Sequence, residues 1–148
     1  MSLFATLLFI GTMVLSLWAR MRVRQVYGKF SHIFGEEFGG LKIAHLSTAD
    51  GVGIELFQFI KPKTYVPDNT FDYGRTGIFH ICITAADIAT TAAQIEANGG
   101  KLTSKIWRLF SNKDYKVCYC RDPWGTVTEL NSHSYLQTWS NLEEPHKL

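Results

Sequence analysis

Two glutamates occupy the same place in two copies of a repeated sequence. Residues 41–56 match residues 115–130 without a gap, so that Glu55 aligns with Glu129, 74 positions later. Each glutamate interrupts an apolar segment that has the pattern of a β-strand. A single carboxylate in such a strand usually faces solvent. Duplication, however, can bring both copies to one cleft, where a divalent metal ion would neutralise them.

A histidine begins the second copy, 49 residues before its glutamate. His80 stands between Phe79 and Ile81 in an apolar strand, where a hydrogen-bonded core histidine is the common alternative to a ligand. If the first and last strands of that copy pair, the imidazole comes near Glu129. One imidazole and two carboxylates suit Zn, Ni, Mn, Fe or Co, and their spacing does not select among these metals.

The second half of the chain predicts the order strand, helix, strand, strand, strand. Residues 77–84 form an apolar strand rich in isoleucine, and Asp87 can cap the helix that follows. Gly99 and Gly100 end that helix. The remaining strands are expected at residues 101–110, 115–121 and 126–132.

The first half is less regular. Its pattern predicts strands at residues 41–47 and 53–60, and the glycine and glutamate content of residues 32–40 predicts a loop. Extending the 74-residue offset upstream sets Thr6 opposite His80. Residue identity does not support that extension, and we expect insertions there.

These elements divide the chain into four parts. We predict a first module with an atypical N-terminus at residues 1–60, a connector at 61–76, a second module at 77–135 and a C-terminal tail at 136–148.

Apolar residues make up 46% and charged residues 19%, which is typical of a globular protein. The net charge of +2 and the scattered basic residues argue against a nucleic-acid partner.

The N-terminal segment allows two interpretations. Residues 2–19 carry no charge and precede three arginines, which is the shortest pattern that can span a bilayer. The other interpretation, which we favour, is that residues 3–25 pack as part of the first module.

The three cysteines (Cys82, Cys118 and Cys120) predict buried free thiols in a reducing compartment, and therefore a cytoplasmic protein.

Three segments resemble the vicinal oxygen chelate superfamily, which includes glyoxalase I, extradiol dioxygenases, and bleomycin and fosfomycin resistance proteins. They are residues 77–101, residues 119–132 and residues 51–59. The resemblance implies an α+β fold, in which paired strand-helix-strand-strand-strand modules curl a mixed sheet around a cleft. It also implies a small-molecule substrate and a homodimer.

The same resemblance implies metal-ligand roles for His80, Glu129 and Glu55. Members that bind a metal take the fourth ligand, a His or Gln, from the first strand of the first module. This chain has Thr6 at the offset position, and a neutral hydroxyl is a poor ligand. Three outcomes follow: a three-ligand site with an extra water, a substitute such as His45 or His32, or no catalytic metal. Because His45 aligns with Tyr119, a strand role without metal is the favoured interpretation of His45.

The leading functional hypothesis is a metal-dependent enzyme, a lyase or isomerase of the glyoxalase type. It would act on a small substrate with vicinal oxygens, and Glu129 or Glu55 would serve as ligand and proton-transfer base. Ring-cleaving dioxygenase chemistry is disfavoured, because that pattern needs two histidines and one glutamate. One alternative is a degenerate paralogue with a damaged first module. Another is a metal-free small-molecule-binding protein with an aromatic lining formed by Trp107, Phe110, Tyr119 and Trp124.

Overall fold

The computed structural model describes residues 24–26, 30–47, 52–68 and 71–140. The chain divides into two compact units, residues 1–68 and residues 69–148. The boundary between the units lies inside the connector expected from the sequence. Each unit has its own β-sheet, and each is described by itself below.

The first unit contains a three-stranded antiparallel sheet in the order β1-β2-β3. The strands are β1 (Arg24–Val26), β2 (Gly40–Ser47) and β3 (Gly53–Lys61). Both strands predicted from the sequence are therefore present, within one residue of the expected bounds. A small core of Phe38, Leu41 and Ile43 is buried at this sheet, with Phe30 and Phe59 packed against it.

The predicted loop at residues 32–40 is partly wrong, because a one-turn helix, α1 (Ser31–Phe34), occupies its beginning. The ring centroid of Phe34 lies 5.3 Å from that of Phe38 and 5.2 Å from that of Phe59. These aromatic contacts stabilise a turn that local composition does not favour, since tertiary packing outweighs weak local propensity.

The 74-residue offset fails upstream of β2, where we expected insertions. Lys42 in β2 pairs with Gln25, whereas Lys116, its equivalent in the second unit, pairs with Arg108. Gln25 and Arg108 are 83 positions apart, so the first unit has nine extra residues between these two strands. The assignment of Thr6 to the position of His80 therefore loses its support, and Thr6 itself lies outside the described residues.

The second unit contains a mixed five-stranded sheet in the order β4-β8-β7-β5, and β6 also pairs with β7. Its first strand β4 pairs in parallel with its last strand β8, which is the adjacency expected from the sequence. The other pairs are antiparallel. The strands are β4 (His80–Thr84), β5 (Lys101–Leu102), β6 (Trp107–Phe110), β7 (Lys113–Arg121) and β8 (Val127–Asn131).

The helix α2 (Ile88–Ala97) begins and ends where the sequence predicts. The Asp87 carboxylate accepts a hydrogen bond from the Thr90 backbone N–H at 3.0 Å, and this capping contact holds the pKa of Asp87 below its usual value. Gly99 follows the helix with a φ of 86°, a left-handed conformation that favours glycine. The helix buries Ile88, Ala92 and Ile95. Another helix of this unit, α3 (Tyr135–Trp139), begins at the last residue of the predicted second module and continues into the predicted C-terminal tail.

The strand predicted at residues 101–110 is interrupted, which is a second correction. Between β5 and β6, the Thr103 hydroxyl donates to the Tyr119 carbonyl at 2.9 Å, and the Tyr119 N–H donates to the Ser104 hydroxyl at 2.8 Å. The Thr103 backbone N–H also donates to the Tyr119 carbonyl at 2.8 Å, so only the Tyr119 N–H has a side-chain hydroxyl in place of a backbone partner. The consequence is that the backbone of Tyr119 is held from both sides.

The predicted α+β class is confirmed, with curled, open sheets in the two units. Arg24 and Gln25 of the N-terminal segment belong to the first sheet, while residues 1–23 lie outside the described residues. Within the described part of the chain, no helix has the length and hydropathy needed to cross a bilayer.

Candidate functional site

Glu129 is the central carboxylate of the second unit. It lies in the middle of β8, where its neighbours in register are Cys82 on β4 and Tyr119 on β7. Only 8% of Glu129 is exposed. The other residues of β8 are also buried, and none of them is charged. A carboxylate buried to this degree is stable only when donors or cations surround it.

Four polar side chains from three strands surround the two carboxylate oxygens: three hydrogen-bond donors and the His80 imidazole. Oε1 accepts from Asn131 Nδ2 at 2.9 Å and from Cys82 Sγ at 3.7 Å. Oε2 accepts from the Tyr119 hydroxyl and lies 3.3 Å from His80 Nε2. Asn131 Nδ2 also lies 2.9 Å from Cys82 Sγ, which links the donors to each other. The side chains form one connected polar network on one face of the sheet, because each alternates with apolar residues along its strand.

The His80 ring has fewer hydrogen-bond partners for its polar atoms than the Glu129 carboxylate has. Its side chain is 31% exposed, and Nε2 faces Glu129. Its other ring nitrogen, Nδ1, is buried and has no hydrogen-bond partner among the described residues. Nδ1 is therefore a buried polar atom without a partner in the described part of the chain, which costs stability.

The site raises the pKa of the two titratable side chains that donate hydrogen bonds to Glu129, Tyr119 and Cys82. Burial is the main cause for Tyr119, and its hydrogen bond to Glu129 and the nearby carboxylate charge add to the shift. Burial likewise leads for Cys82, followed by the Glu129 charge, and together they raise the pKa of the thiol to about 11. Both groups therefore remain protonated donors near neutral pH.

The raised pKa of the Cys82 thiol should make it react slowly with alkylating agents, which gives a first prediction. Because its pKa is about 11 rather than 9.0, the thiolate fraction near pH 8 should be about 100-fold below that of an ordinary cysteine. We expect alkylation by iodoacetamide to be slowed at least that much, with a rate that keeps rising tenfold per pH unit above pH 9. Peptide mass spectrometry would follow Cys82 separately from Cys118 and Cys120. A rate that levels off near pH 9 would contradict the prediction.

The aromatic lining expected from the sequence is only partly present. Trp107 stacks on Tyr119, with ring centroids 6.0 Å apart. The His80 ring contacts Tyr119 edge to face, with ring centroids 5.3 Å apart. Phe110 is a core residue instead, since it is 6% exposed and contacts Tyr115 and Trp139. Trp124 lies in the turn between β7 and β8, so its role as lining stays a prediction.

The equivalent glutamate of the first unit has a different partner. Glu55 on β3 lies opposite His45 on β2, and His45 Nδ1 is 3.1 Å from Glu55 Oε1. The two side chains are 48% and 53% exposed. His45 thus occupies in the first unit the place that Tyr119 has in the second, as the repeat predicts. What the sequence did not predict is that His45 contacts the glutamate.

The structure brings His80 and Glu129 together within the second unit and places Glu55 in the first. The convergence of Glu55 with the other two stays a prediction. Neither unit contains, among its described residues, three His, Cys, Asp or Glu side chains grouped to hold a metal ion. Sequence analysis missed Asn131 as a partner of Glu129. The signal was present, because residues two positions apart on a strand share a face.

Comparison with known proteins agrees with this architecture. The model of the Glyoxalase/Bleomycin resistance protein/Dioxygenase superfamily matches residues 21–130. No curated protein sequence matches this chain significantly.

Solved structures share the fold at low sequence identity. A glyoxalase family protein from Bacillus cereus is 24% identical with a TM-score of 0.71, over 88% of this chain and 85% of that chain. Glyoxalase I from Zea mays is 20% identical with a TM-score of 0.61, over 90% of this chain and 41% of that chain. A fosfomycin resistance protein from Mesorhizobium loti is 12% identical with a TM-score of 0.53, over 93% and 87% of the two chains.

Proposed function

Because this chain belongs to the Glyoxalase/Bleomycin resistance protein/Dioxygenase superfamily, we propose that it is a metal-dependent lyase or isomerase acting on a small substrate with vicinal oxygens. The observation that carries the proposal is the contact between His80 and Glu129, whose nitrogen and oxygen are 3.3 Å apart on neighbouring strands. It places an imidazole and a nearly buried carboxylate at one point of the sheet.

The residues present fit a divalent cation. Nitrogen and oxygen ligands that share one ion at about 2.0–2.2 Å lie about 3.0–3.5 Å from each other, which includes the His80–Glu129 spacing. We propose His80, Glu129 and Glu55 as ligands of a Zn, Ni, Mn, Fe or Co ion.

When bound, the ion would act as a Lewis acid that polarises a substrate carbonyl. Glu129 would take the proton from the adjacent carbon and return it at the neighbouring position, with Glu55 in the equivalent place of the first module. Tyr119 and Asn131 would hold the Glu129 carboxylate in one orientation, because each donates to a different oxygen. This proton transfer needs no redox cofactor.

A metal-free binding protein is the second candidate, and one observation favours it. The three hydrogen-bond donors around Glu129 (Cys82, Tyr119 and Asn131) already satisfy its carboxylate without a cation. Trp107, 39% exposed and stacked on Tyr119, would then contact the flat face of an aromatic ligand. We also propose a cytoplasmic location, since the three cysteines are free thiols, and a homodimer, as the family resemblance implies.

Metal content separates the two candidates. Protein purified without added metal is expected to contain about one divalent ion per chain by elemental analysis. Glu129→Gln purified in the same way is expected to lose the ion, because the amide removes the ligand charge and so weakens metal affinity while keeping the shape. Glu96→Gln on α2 is a matched control that should keep the ion. Parent protein that stays metal-free after incubation with each of the five ions would contradict the enzyme proposal and favour the binding protein.

A further inference from the structure

The second unit has a cleft on the face of its sheet opposite Glu129. Its volume is about 430 Å³, and its lining comes from residues 86–89 at the start of α2, residues 106–108 where β6 begins, Asp114 and Lys116 on β7, and residues 132–133 after β8. Lys116 lies three positions before Tyr119 on β7, so strand alternation directs its side chain away from the Glu129 face. The volume is within the range of small-molecule sites, about 300–1,000 Å³.

Two cations in this cleft share one carboxylate. Arg108 on β6 and Lys116 on β7 are partners in register. Arg108 Nη2 lies 3.2 Å from Asp114 Oδ1, and Lys116 Nζ lies 3.5 Å from Asp114 Oδ2. A guanidinium and an ammonium group together present more N–H donors than one carboxylate accepts. This corner of the cleft therefore carries a net positive charge and can donate to the acceptor atoms of a ligand.

The other carboxylate of the lining, that of Asp87, is engaged by α2. It accepts hydrogen bonds from the Thr90 backbone N–H at 3.0 Å and from the Thr90 hydroxyl at 2.7 Å. The positive end of the helix dipole offsets its charge further. An incoming acid group therefore meets one unbalanced cation at the Arg108–Lys116 corner. A carboxylate matches that charge, whereas a phosphate dianion would exceed it.

An apolar wall adjoins the charged corner. Ile106 lines the cleft and is 37% exposed, and Ile88 and Ala89 line it from the start of α2. Apolar contact with a ligand would remove part of this exposed surface from water, which is favourable. The lining therefore suits a molecule that has an acid group at one end and an apolar body at the other.

We propose that this cleft is a binding site for a small organic monoanion, a carboxylate with an apolar body. Arg108 and Lys116 hold the carboxylate, and Ile88 and Ile106 contact the apolar body. The ligand carboxylate competes with Asp114 for the same two cations. Because every lining residue belongs to the second unit and lies outside the Glu129 network, the site requires neither a metal ion nor the proposed reaction.

Variants of the full chain test the site by NMR titration of the backbone amides, with benzoate as the probe. Benzoate should bind the parent saturably with a Kd of about 1 mM or tighter. Arg108→Gln and Lys116→Gln should each weaken affinity at least about tenfold, because each removes a charged donor. Asp114→Asn should tighten binding about two- to fivefold, since it removes the competing carboxylate from an exposed ion pair. Lys105→Gln, which removes an exposed charge just outside the lining, is the matched control and should leave affinity unchanged.

The amide shifts also locate the ligand. Saturable shifts at Ala89, Arg108 and Lys116 are expected, and benzyl alcohol, the neutral analogue, should produce none of them. Weaker binding in folded Asp114→Asn would overturn the proposal, because Asp114 would then build the site and not compete for it. Equal affinity for benzyl alcohol, shifts confined to the Glu129 face, or no saturation by benzoate would overturn it as well.

Discussion

Glu129→Gln in metal-supplemented protein is expected to lower turnover by about 10²–10⁴-fold, the usual contribution of a positioned general base. The amide cannot accept the proton, and it turns an NH₂ group toward donors that now face a carboxylate oxygen. Turnover would be followed by proton NMR in D₂O on a panel of small α-hydroxycarbonyl compounds. Proton transfer through Glu129 predicts deuterium at the carbon next to the carbonyl.

One control variant and one assay condition make this result specific to the carboxylate. Glu96→Gln on α2 removes an equal charge from an exposed position, and its turnover should match the parent protein. Saturating metal should be present in every assay, so that loss of the ion is not mistaken for loss of the base. Turnover within threefold of the parent in folded, metal-loaded Glu129→Gln would assign the proton transfer to another group.

Leu130→Ala is expected to lower the free energy of unfolding of the second unit by about 2–5 kcal/mol. Leu130 follows Glu129 in β8, is 0% exposed, and lies between Ile83 on β4 and Cys118 on β7. Removing its side chain leaves a cavity on the face of the sheet opposite Glu129, at the strand that joins the two halves of the sheet. Hydrogen exchange of the β7 and β8 amides in native protein would measure the change locally.

Leu136→Ala provides the matched control, because it deletes the same atoms from a side chain that is 73% exposed in α3. Its effect should stay within about 0.5 kcal/mol. Exchange rates in Leu130→Ala equal to those of the control would mean that β8 is not a central element of this core. Since Leu130 and Glu129 point to opposite faces, metal affinity should change less than stability in the Leu130 variant.

Much of the site was predictable because it depends on local periodicity. A strand alternates its faces every two residues, so a glutamate in an apolar strand identifies a polar face whatever lies around it. The repeat then assigns Glu55 and Glu129 to equivalent strands, and His80 to the strand that begins the second module. The adjacency of β4 and β8 followed from closing that module, and the structure confirms it.

Other features depended on contacts between distant residues. The helix at Ser31–Phe34 is stabilised by packing of Phe34 on Phe38 and Phe59. The strand after Leu102 is interrupted where the Tyr119 N–H donates to the Ser104 hydroxyl instead of a backbone carbonyl. Neither partner is visible from the local pattern. The extra residues between β1 and β2 likewise became evident only from the pairing of Gln25 with Lys42.

The sequence by itself therefore determined the repeat, the α+β class and the two carboxylate positions, because identity and alternation are properties of the chain alone. Only the tertiary structure decided what each carboxylate contacts: three hydrogen-bond donors and an imidazole around Glu129, and an imidazole beside Glu55. The physical reason is strand register. Which side chains meet across a sheet is decided by hydrogen-bonded pairing between distant segments, and a shift of one residue would turn every one of them to the other face.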